Sequence, residues 1–201
     1  SERPSTPRQL ASRSLQAITF LSTLEGDWKS AREYSDRGLE LSPLNTILLA
    51  TRVLLEHETG EFDQGEVYLE RLLEAMRRAE FFASARTAMA LAAIARITGV
   101  PNRLEIAETA AQSLLLEQSV TPLVAMWAKA GLALLAVQTG DQSAAAEHYS
   151  YLLGQQSTMA STVISADRLL GLLSQTMGDL DQATEHFEDA LVFCREATGP
   201  S

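Results

Sequence analysis

The apolar and polar positions of the chain form a unit in which two amphipathic helices flank a glycine, and the last copy shows it best. The apolar positions before Gly178 are Leu169, Leu170, Leu172, Leu173 and Met177. The stripe after it consists of Ala183, Phe187, Ala190, Leu191 and Cys194, at helical spacing. Glycine ends a helix by adopting the left-handed backbone conformation, and the acid that follows, Asp179, suits the start of the next helix. The pattern predicts a helix, a tight turn and a second helix.

The same unit recurs along the chain. A glycine followed by an acid occurs at Gly26-Asp27, Gly60-Glu61, Gly140-Asp141 and Gly178-Asp179, and a weaker turn occurs at Gly99. Five residues after the four glycine-acid turns stand the small residues Ala31, Gly65, Ala145 and Ala183. The five glycines are spaced by 34, 39, 41 and 38 residues. A period in this range is typical of a solenoid of helix pairs.

The spacing predicts an all-α fold of about five antiparallel helix pairs in one repeat domain, over residues 8–197. No alternating run of β-branched residues bounded by hairpin turns indicates a strand. The predicted repeats are 8–43, 44–80, 81–118, 119–156 and 157–197. The predicted helices are 8–24, 28–41, 44–58, 62–79, 81–98, 101–117, 121–139, 142–154, 159–177 and 180–197. Only 6% of the residues are aromatic, so helix contacts depend on Ala and Leu.

The residues of the unit resemble the tetratricopeptide repeats. In the last copy, Leu170-Gly171, Ala183, Phe187 and Ala190 match that family's Leu-Gly, Ala, Phe and Ala positions. The first copy keeps Ala31 and a closing Pro43, and the fourth keeps Leu132, Ala145 and the aromatic Tyr149. Gly65 and Leu72 depart from the family's alanines, and no copy has its tryptophan at position four. The long spacings look most like the degenerate repeats of bacterial signalling regulators, such as the maltose-type transcription activators.

The resemblance implies a right-handed superhelix whose first helices line a concave groove. By the register of the turn glycines, the groove positions are Arg13, Gln16, Phe20, His57, Arg86, Met89, Arg96, Trp127, Leu134, Arg168, Leu172 and Gln175. Arginine pairs in a bidentate way with carboxylates, and Phe20, Met89 and Trp127 would supply apolar anchors. An acidic peptide or protein segment is the predicted ligand. The alternative is that Trp127 is core and that each arginine is ordinary surface charge.

The formal net charge of −10 argues against the clustered basic surface on which nucleic-acid binding depends. No nucleic acid and no membrane is expected as a partner, because the longest charge-free stretch, 149–166, is interrupted by Gly154 and polar residues. That stretch is predicted to hold the loop between helices. A cytoplasmic location is expected, since the one cysteine, Cys194, fits a reducing compartment.

Catalytic motifs are absent from the sequence, so no enzyme, no cofactor and no metal site is predicted. His148 and His186 each lie eight residues after a turn glycine and are predicted to be exposed on helix surfaces. The i, i+4 pair Glu185 and Asp189 is interpreted as a solvated face. Cys194 lies on the apolar stripe and is predicted to be a buried structural thiol.

The two ends of the sequence suggest an excised piece. Residues 1–7 contain two prolines and are interpreted as a flexible linker. A solenoid normally shields its last apolar face with a polar capping helix, yet nothing of that kind follows Phe187, Leu191 and Cys194. We therefore expect a piece of a longer array, with self-association through this face.

Two classes of function remain open from the sequence. The first is a protein-interaction or regulatory module of a bacterial signalling or transcription-regulatory protein, because repeats cover the chain. The second, which the resemblance to maltose-type regulators implies, is a sensor of a sugar or another metabolite, with Trp127 as an aromatic platform.

Overall fold

The computed structural model describes residues 7–78, 101–116, 120–161 and 164–198. The chain divides into two compact units, residues 1–82 and residues 83–201. Each unit is built from consecutive helices that pack on one another, and the all-α prediction is confirmed for the described residues. The number of repeats, the handedness and the single repeat domain stay predictions.

The first unit contains two helical hairpins. Its helices are α1 (Pro7–Leu24), α2 (Trp28–Leu41), α3 (Thr46–Glu58) and α4 (Phe62–Arg78). Helix α1 packs on α2, α3 packs on α4, and both α1 and α2 contact α3. The largest fully buried side chains here are Leu48, Leu49, Leu55, Leu69, Leu72 and Met76. The apolar stripes of α3 and α4 therefore form much of the core of this unit.

The second unit contains five helices among its described residues, together with a small hairpin of strands. Its elements are α5 (Pro101–Leu115), α6 (Pro122–Thr139), α7 (Gln142–Leu152), a 3-10 turn (Leu153–Gln155), β1 (Met159–Ser161), β2 (Ile164–Ser165), α8 (Ala166–Met177) and α9 (Leu180–Thr198). Helix α6 contacts α5, α7 and α8, and α8 packs on both α7 and α9. First helices of successive hairpins thus touch each other, as α1 and α3 do in the first unit.

Four turns between helices have the same backbone geometry. Gly26, Gly60, Gly140 and Gly178 all adopt positive φ, between 68° and 88°. The residue after each glycine donates its backbone N–H to the carbonyl five residues back, as in the pair Asp179 and Ser174 at 2.9 Å. This is the hydrogen bond of a Schellman motif. The predicted glycine turns are confirmed at these four positions, while Gly99 lies outside the described residues.

The acids after three of these glycines cap the helices that follow. The carboxylate of Asp27 accepts a hydrogen bond from the backbone N–H of Ser30 at 3.1 Å. Asp141 accepts from the N–H groups of Ser143 and Ala144, both at 3.0 Å. Asp179 does the same for Gln182 at 3.1 Å. Each carboxylate satisfies a helix N–H group that has no partner within the helix, as the sequence predicts.

Small residues bring the two helices of a hairpin together. The predicted small positions, Ala31, Gly65, Ala145 and Ala183, are all buried. In the last hairpin the ring of Phe187 lies directly against Gly171, where an added Cβ would approach the ring to 2.5 Å. The glycine of the Leu-Gly position therefore leaves room for the aromatic ring of the second helix.

Helix α6 is more apolar than its neighbours because it is contacted on several sides. Among the described helices it is the one that, by length and composition alone, is apolar enough to cross a membrane. In the structure its buried residues are small or aliphatic, namely Ala128, Ala130, Gly131, Ala133, Leu134, Leu135 and Ala136. Packing against α5, α7, α8 and β1 accounts for this composition.

The stretch between α7 and α8 corrects the sequence prediction. A helix was expected from residue 159, but α8 begins at Ala166, and β1 pairs antiparallel with β2 in the segment before it. The backbone of Ala166 donates to the carbonyl of Thr158 at 2.9 Å, and Ser165 caps α8 through its hydroxyl. The predicted loop in 149–166 is therefore ordered by a two-stranded hairpin. The predicted helix over 81–98 lies outside the described residues.

The last helix also corrects the sequence prediction for Cys194, which is exposed and not buried. On the same helix, Leu191 is 56% exposed and Val192 is 50% exposed, whereas Phe187 packs on Gly171. The apolar stripe of α9 is thus covered at its start and open towards its end. Self-association through this face stays a prediction.

Candidate functional site

The predicted groove residues of the first unit lie on α1 and α3. Arg13 is exposed, and Phe20 is half-buried. The side-chain oxygen of Gln16 accepts a hydrogen bond from the amide of Asn45 at 3.3 Å. The half-buried ring of His57 contacts Phe62 edge to face, with 5.2 Å between ring centroids. Gln16 and His57 therefore have structural contacts within the unit, and Arg13 is open to solvent.

The predicted groove residues of the second unit lie on α6 and α8. Arg168 and Gln175 are exposed, Leu172 is half-buried and Leu134 is buried. Trp127 is half-buried and packs against a cluster formed by Leu114 and Ala128. Arg86, Met89 and Arg96 lie outside the described residues. The arginine groove stays a prediction. The packing of Trp127 agrees with the alternative interpretation, in which Trp127 is a core residue.

Sequence analysis missed a buried ion cluster in the first unit. Glu56 accepts hydrogen bonds from Arg32 and Arg52, each at 2.7 Å, and is 1% exposed. Arg52, itself 5% exposed, also pairs with Asp36, and its guanidinium lies 4.4 Å from the centre of the Tyr68 ring. These five residues, Arg32, Asp36, Arg52, Glu56 and Tyr68, are called the ion cluster below.

The ion cluster is electrically balanced and well hydrogen-bonded. Burial raises the pKa of Glu56, but hydrogen bonds and charges from Arg32 and Arg52 outweigh burial and hold the pKa below its ordinary value. The Tyr68 hydroxyl donates to Asp36 at 3.2 Å. Since the cluster joins α2 to α3 and α4, its evident role is to fix one hairpin on the next.

A cavity lies in the second unit, between α5 and α7, and residues of α6 form its floor. The cavity has a volume of about 660 Å³. It is lined by Glu108, Gln112, Leu132, Leu135, Ala136, Thr139, Asp141, Ala144, Glu147 and His148, and is called the acidic hollow below. It involves the second helices α5 and α7, whereas the resemblance implies a site between first helices.

The acidic hollow combines an apolar floor with a negatively charged rim. Leu135 and Ala136 are buried at the floor, while Glu108, Asp141 and Glu147 are exposed. The half-buried His148 was predicted to be exposed; desolvation lowers its pKa, with a smaller lowering by Lys129 and opposing effects of Glu147 and Asp141. The lowered pKa favours the neutral imidazole of His148 near neutral pH, beside the three acidic side chains of the rim.

A second group of polar residues lies where α8 and α9 meet α7 and the segment that follows it. His186 was predicted to be exposed, but it is 5% exposed and its Nε2 lies 2.9 Å from the Tyr149 hydroxyl. Asp167, in the first turn of α8, is 1% exposed and accepts a hydrogen bond from the backbone N–H of Ser157 at 2.8 Å. The prediction was wrong because it considered only the position of His186 along its own helix. It did not include the contact of the ring with Tyr149 of the neighbouring α7.

Comparison with models of known protein families and with curated proteins finds no match for this sequence. The resemblance to tetratricopeptide repeats therefore depends on the residues of the turns and on the helical architecture alone.

Proposed function

We propose that the chain is a protein-interaction module built from helical-hairpin repeats, acting as a regulatory part of a bacterial signalling or transcription-regulatory protein. Helical repeats present extended surfaces made from side chains of successive hairpins, and such surfaces bind partner proteins. The observation that carries the proposal is the acidic hollow, a cavity of about 660 Å³ between second helices of the second unit.

The chemistry of the acidic hollow favours a basic side chain of the partner. Ligand cavities commonly measure about 300–1,000 Å³ and combine apolar walls with a few polar groups. Leu132, Leu135 and Ala136 would pack against the aliphatic part of a lysine or arginine. Glu108 and Glu147 would pair with its charge. The proposed ligand at this place is a segment of the partner protein that carries Lys or Arg.

The sequence also predicts an acidic segment bound by arginines of the first helices. Arg13 and Arg168 are exposed, which leaves both guanidinium groups accessible to such a segment. A partner with segments of both charges would engage both surfaces. The two charge preferences can be separated by experiment, because they depend on different residues.

Fluorescence anisotropy of labelled Lys-rich and Glu-rich peptides, titrated with the full chain, tests the proposal. The double variant Glu108→Gln, Glu147→Gln should weaken binding of the Lys-rich peptide by about tenfold or more, since a close charge pair across an interface contributes about 1.5 kcal/mol or more. The control is Glu25→Gln, Glu40→Gln, which removes the same charge from exposed positions of the first unit. Equal affinities of the two double variants for the Lys-rich peptide would overturn the assignment of the acidic hollow.

The Glu-rich peptide is the second part of the same experiment. Loss of Glu-rich peptide binding in the variant Arg13→Glu, Arg168→Glu would support the arginine groove predicted from the sequence. If neither peptide binds and neither pair of substitutions has an effect, the interaction-module proposal loses its support.

A further inference from the structure

Asp167 and His186 each use one polar atom to hold the fold and leave the other without a partner. In Asp167, Oδ2 accepts the hydrogen bond from Ser157, while Oδ1 is buried and has no hydrogen-bond partner among the described residues. In His186, Nε2 contacts the Tyr149 hydroxyl, while Nδ1 is likewise buried and without a partner there. Buried polar atoms of this kind cost about 1–3 kcal/mol each, so two of them in one place favour the binding of a group that both can contact.

A third donor lies beside these two. Asp189 follows His186 by three residues on α9, on the same side of the helix. One ligand atom each of Asp167, His186 and Asp189 lies within 4.8 Å of the other two. Atoms about 2.1 Å from a tetrahedral ion lie about 3.4 Å from one another, so the three ligand atoms are near the spacing that one ion requires, and the exposed side chain of Asp189 can adjust by rotation.

The surrounding hydrogen bonds suit a histidine that binds metal through Nδ1. When Nε2–H donates to the Tyr149 oxygen, the neutral ring keeps its lone pair on Nδ1. Metal-binding histidines in proteins usually have such a partner on their other nitrogen. Ser157 orients Asp167 in the same way, and its backbone has a φ of 56°, which is uncommon outside glycine.

An adjoining cavity of about 250 Å³ reaches two of the three side chains, those of Asp167 and Asp189. Asp167 and Asp189 lie in its wall, together with Ser157 and a further carboxylate, Glu196. An ion can thus approach the two carboxylates from the surface, and a water can occupy a further coordination position.

We propose that Asp167, His186 and Asp189 form a binding site for a divalent transition-metal ion of the zinc type. One imidazole nitrogen and two carboxylate oxygens are a donor set that Zn²⁺ accepts, and nitrogen ligation favours Zn²⁺ over Mg²⁺ or Ca²⁺. The ion would link the first turn of α8 to the middle of α9 and neutralise two carboxylates at their junction. The proposal departs from the sequence prediction that the chain has no metal site.

Isothermal titration of the full chain with ZnCl₂ tests this site. The titration is done in a Cys194→Ser background, because the exposed thiol on α9 is itself a zinc ligand by chemistry. We expect one Zn²⁺ per chain and a midpoint of thermal unfolding that rises with the Zn²⁺ concentration. Asp189→Asn should weaken binding by about tenfold or more, and Tyr149→Phe by about tenfold, the usual cost of altering a ligand or its hydrogen-bond partner.

The control variant is Asp181→Asn, which removes an exposed carboxylate from the first turn of the same helix. It should bind Zn²⁺ like the parent. His186→Gln retains an N–H in the position of Nε2 but has no atom in place of Nδ1, and should lose binding. Asp189 is exposed, so Asp189→Asn keeps its fold even if His186→Gln does not. Absence of stoichiometric binding, or equal affinity in the parent and Asp189→Asn, would overturn the proposal; so would equal losses in Asp189→Asn and Asp181→Asn.

Discussion

The two described connections between successive hairpins differ in length and in the polar groups of the helices that they join. In the first unit, α2 ends at Leu41 and α3 begins at Thr46, which leaves four residues between them. In the second unit, α7 ends at Leu152 and α8 begins at Ala166, which leaves thirteen. The additional residues form the 3-10 turn and the strands β1 and β2. The segment between Gly140 and Gly178 thus contains additional structure next to the first turn of α8.

The polar groups that accompany the two connections also differ. Between the helices that the short connection joins, Glu56 and Arg52 are buried and every charge of the ion cluster has an opposite partner. Beside the long one, Asp167 and His186 are buried, and each has an atom without a partner among the described residues. A satisfied cluster stabilises the contact between hairpins, whereas an unsatisfied one is suited to hold something further. The comparison separates a structural polar group from a candidate binding site.

The largest expected effect comes from breaking the ion cluster. Glu56→Gln leaves the buried guanidinium of Arg52 without its buried counter-charge, and we expect a loss of about 3 kcal/mol in the free energy of unfolding. Urea denaturation followed by circular dichroism measures this loss. Glu40→Gln, an exposed position on α2, should change the stability by less than about 0.5 kcal/mol. If both variants were equally stable, the ion cluster would not hold the hairpins together.

Two glycines on the packed faces of the units should respond in opposite directions to alanine. At Gly171 an added Cβ would lie 2.5 Å from the Phe187 ring, so Gly171→Ala should destabilise by about 1–3 kcal/mol. At Gly65 the nearest atom would be 3.5 Å away and the residue lies inside a helix, so Gly65→Ala should stabilise by about 0.5–1 kcal/mol. The pair is compared by thermal unfolding. Destabilisation of similar size in both variants would contradict the packing described for the two hairpins.

A smaller effect is expected from the pH dependence of the acidic hollow. Because the pKa of His148 is lowered in the folded chain, the unfolded chain binds the proton more readily. The contribution of His148 to stability is therefore present above its ordinary value of 6.5 and is lost as the pH falls below that value. His148→Gln should remove this part of the acid destabilisation, measured as the difference between urea midpoints at neutral and mildly acidic pH. The pKa of Glu56 is also lowered, so its contribution to stability is lost as the pH falls below its ordinary value of 4.5. This loss is the same in the parent and in His148→Gln.

Much of the architecture was predictable because the turns are specified locally. A glycine, an acid and a small residue five positions after the glycine fix the turn, the cap and the helix contact, as Gly178, Asp179 and Ala183 show. The hairpin at 159–165 was missed because its strands are too short to produce an alternating pattern. Cys194 was misplaced because a helix stripe does not reveal where the neighbouring helix ends.

The candidate sites were less predictable because they depend on contacts between distant residues. Arg32 and Glu56 are 24 positions apart, and the Tyr149–His186 contact joins residues 37 positions apart. The repeat register placed His148 and His186 at equivalent positions but could not give their burial. The acidic hollow combines Glu108 with Glu147, and only the packing of α5, α6 and α7 brings these carboxylates to one cavity.

The most direct test of the proposed interaction role is an amide chemical-shift titration of the full chain with an unlabelled Lys-rich peptide. The account predicts shift changes concentrated at Thr139, Asp141, Ala144 and His148, which line the acidic hollow, with little change at the ion cluster around Glu56. Shift changes of equal size in both units, or none at the acidic hollow, would contradict it.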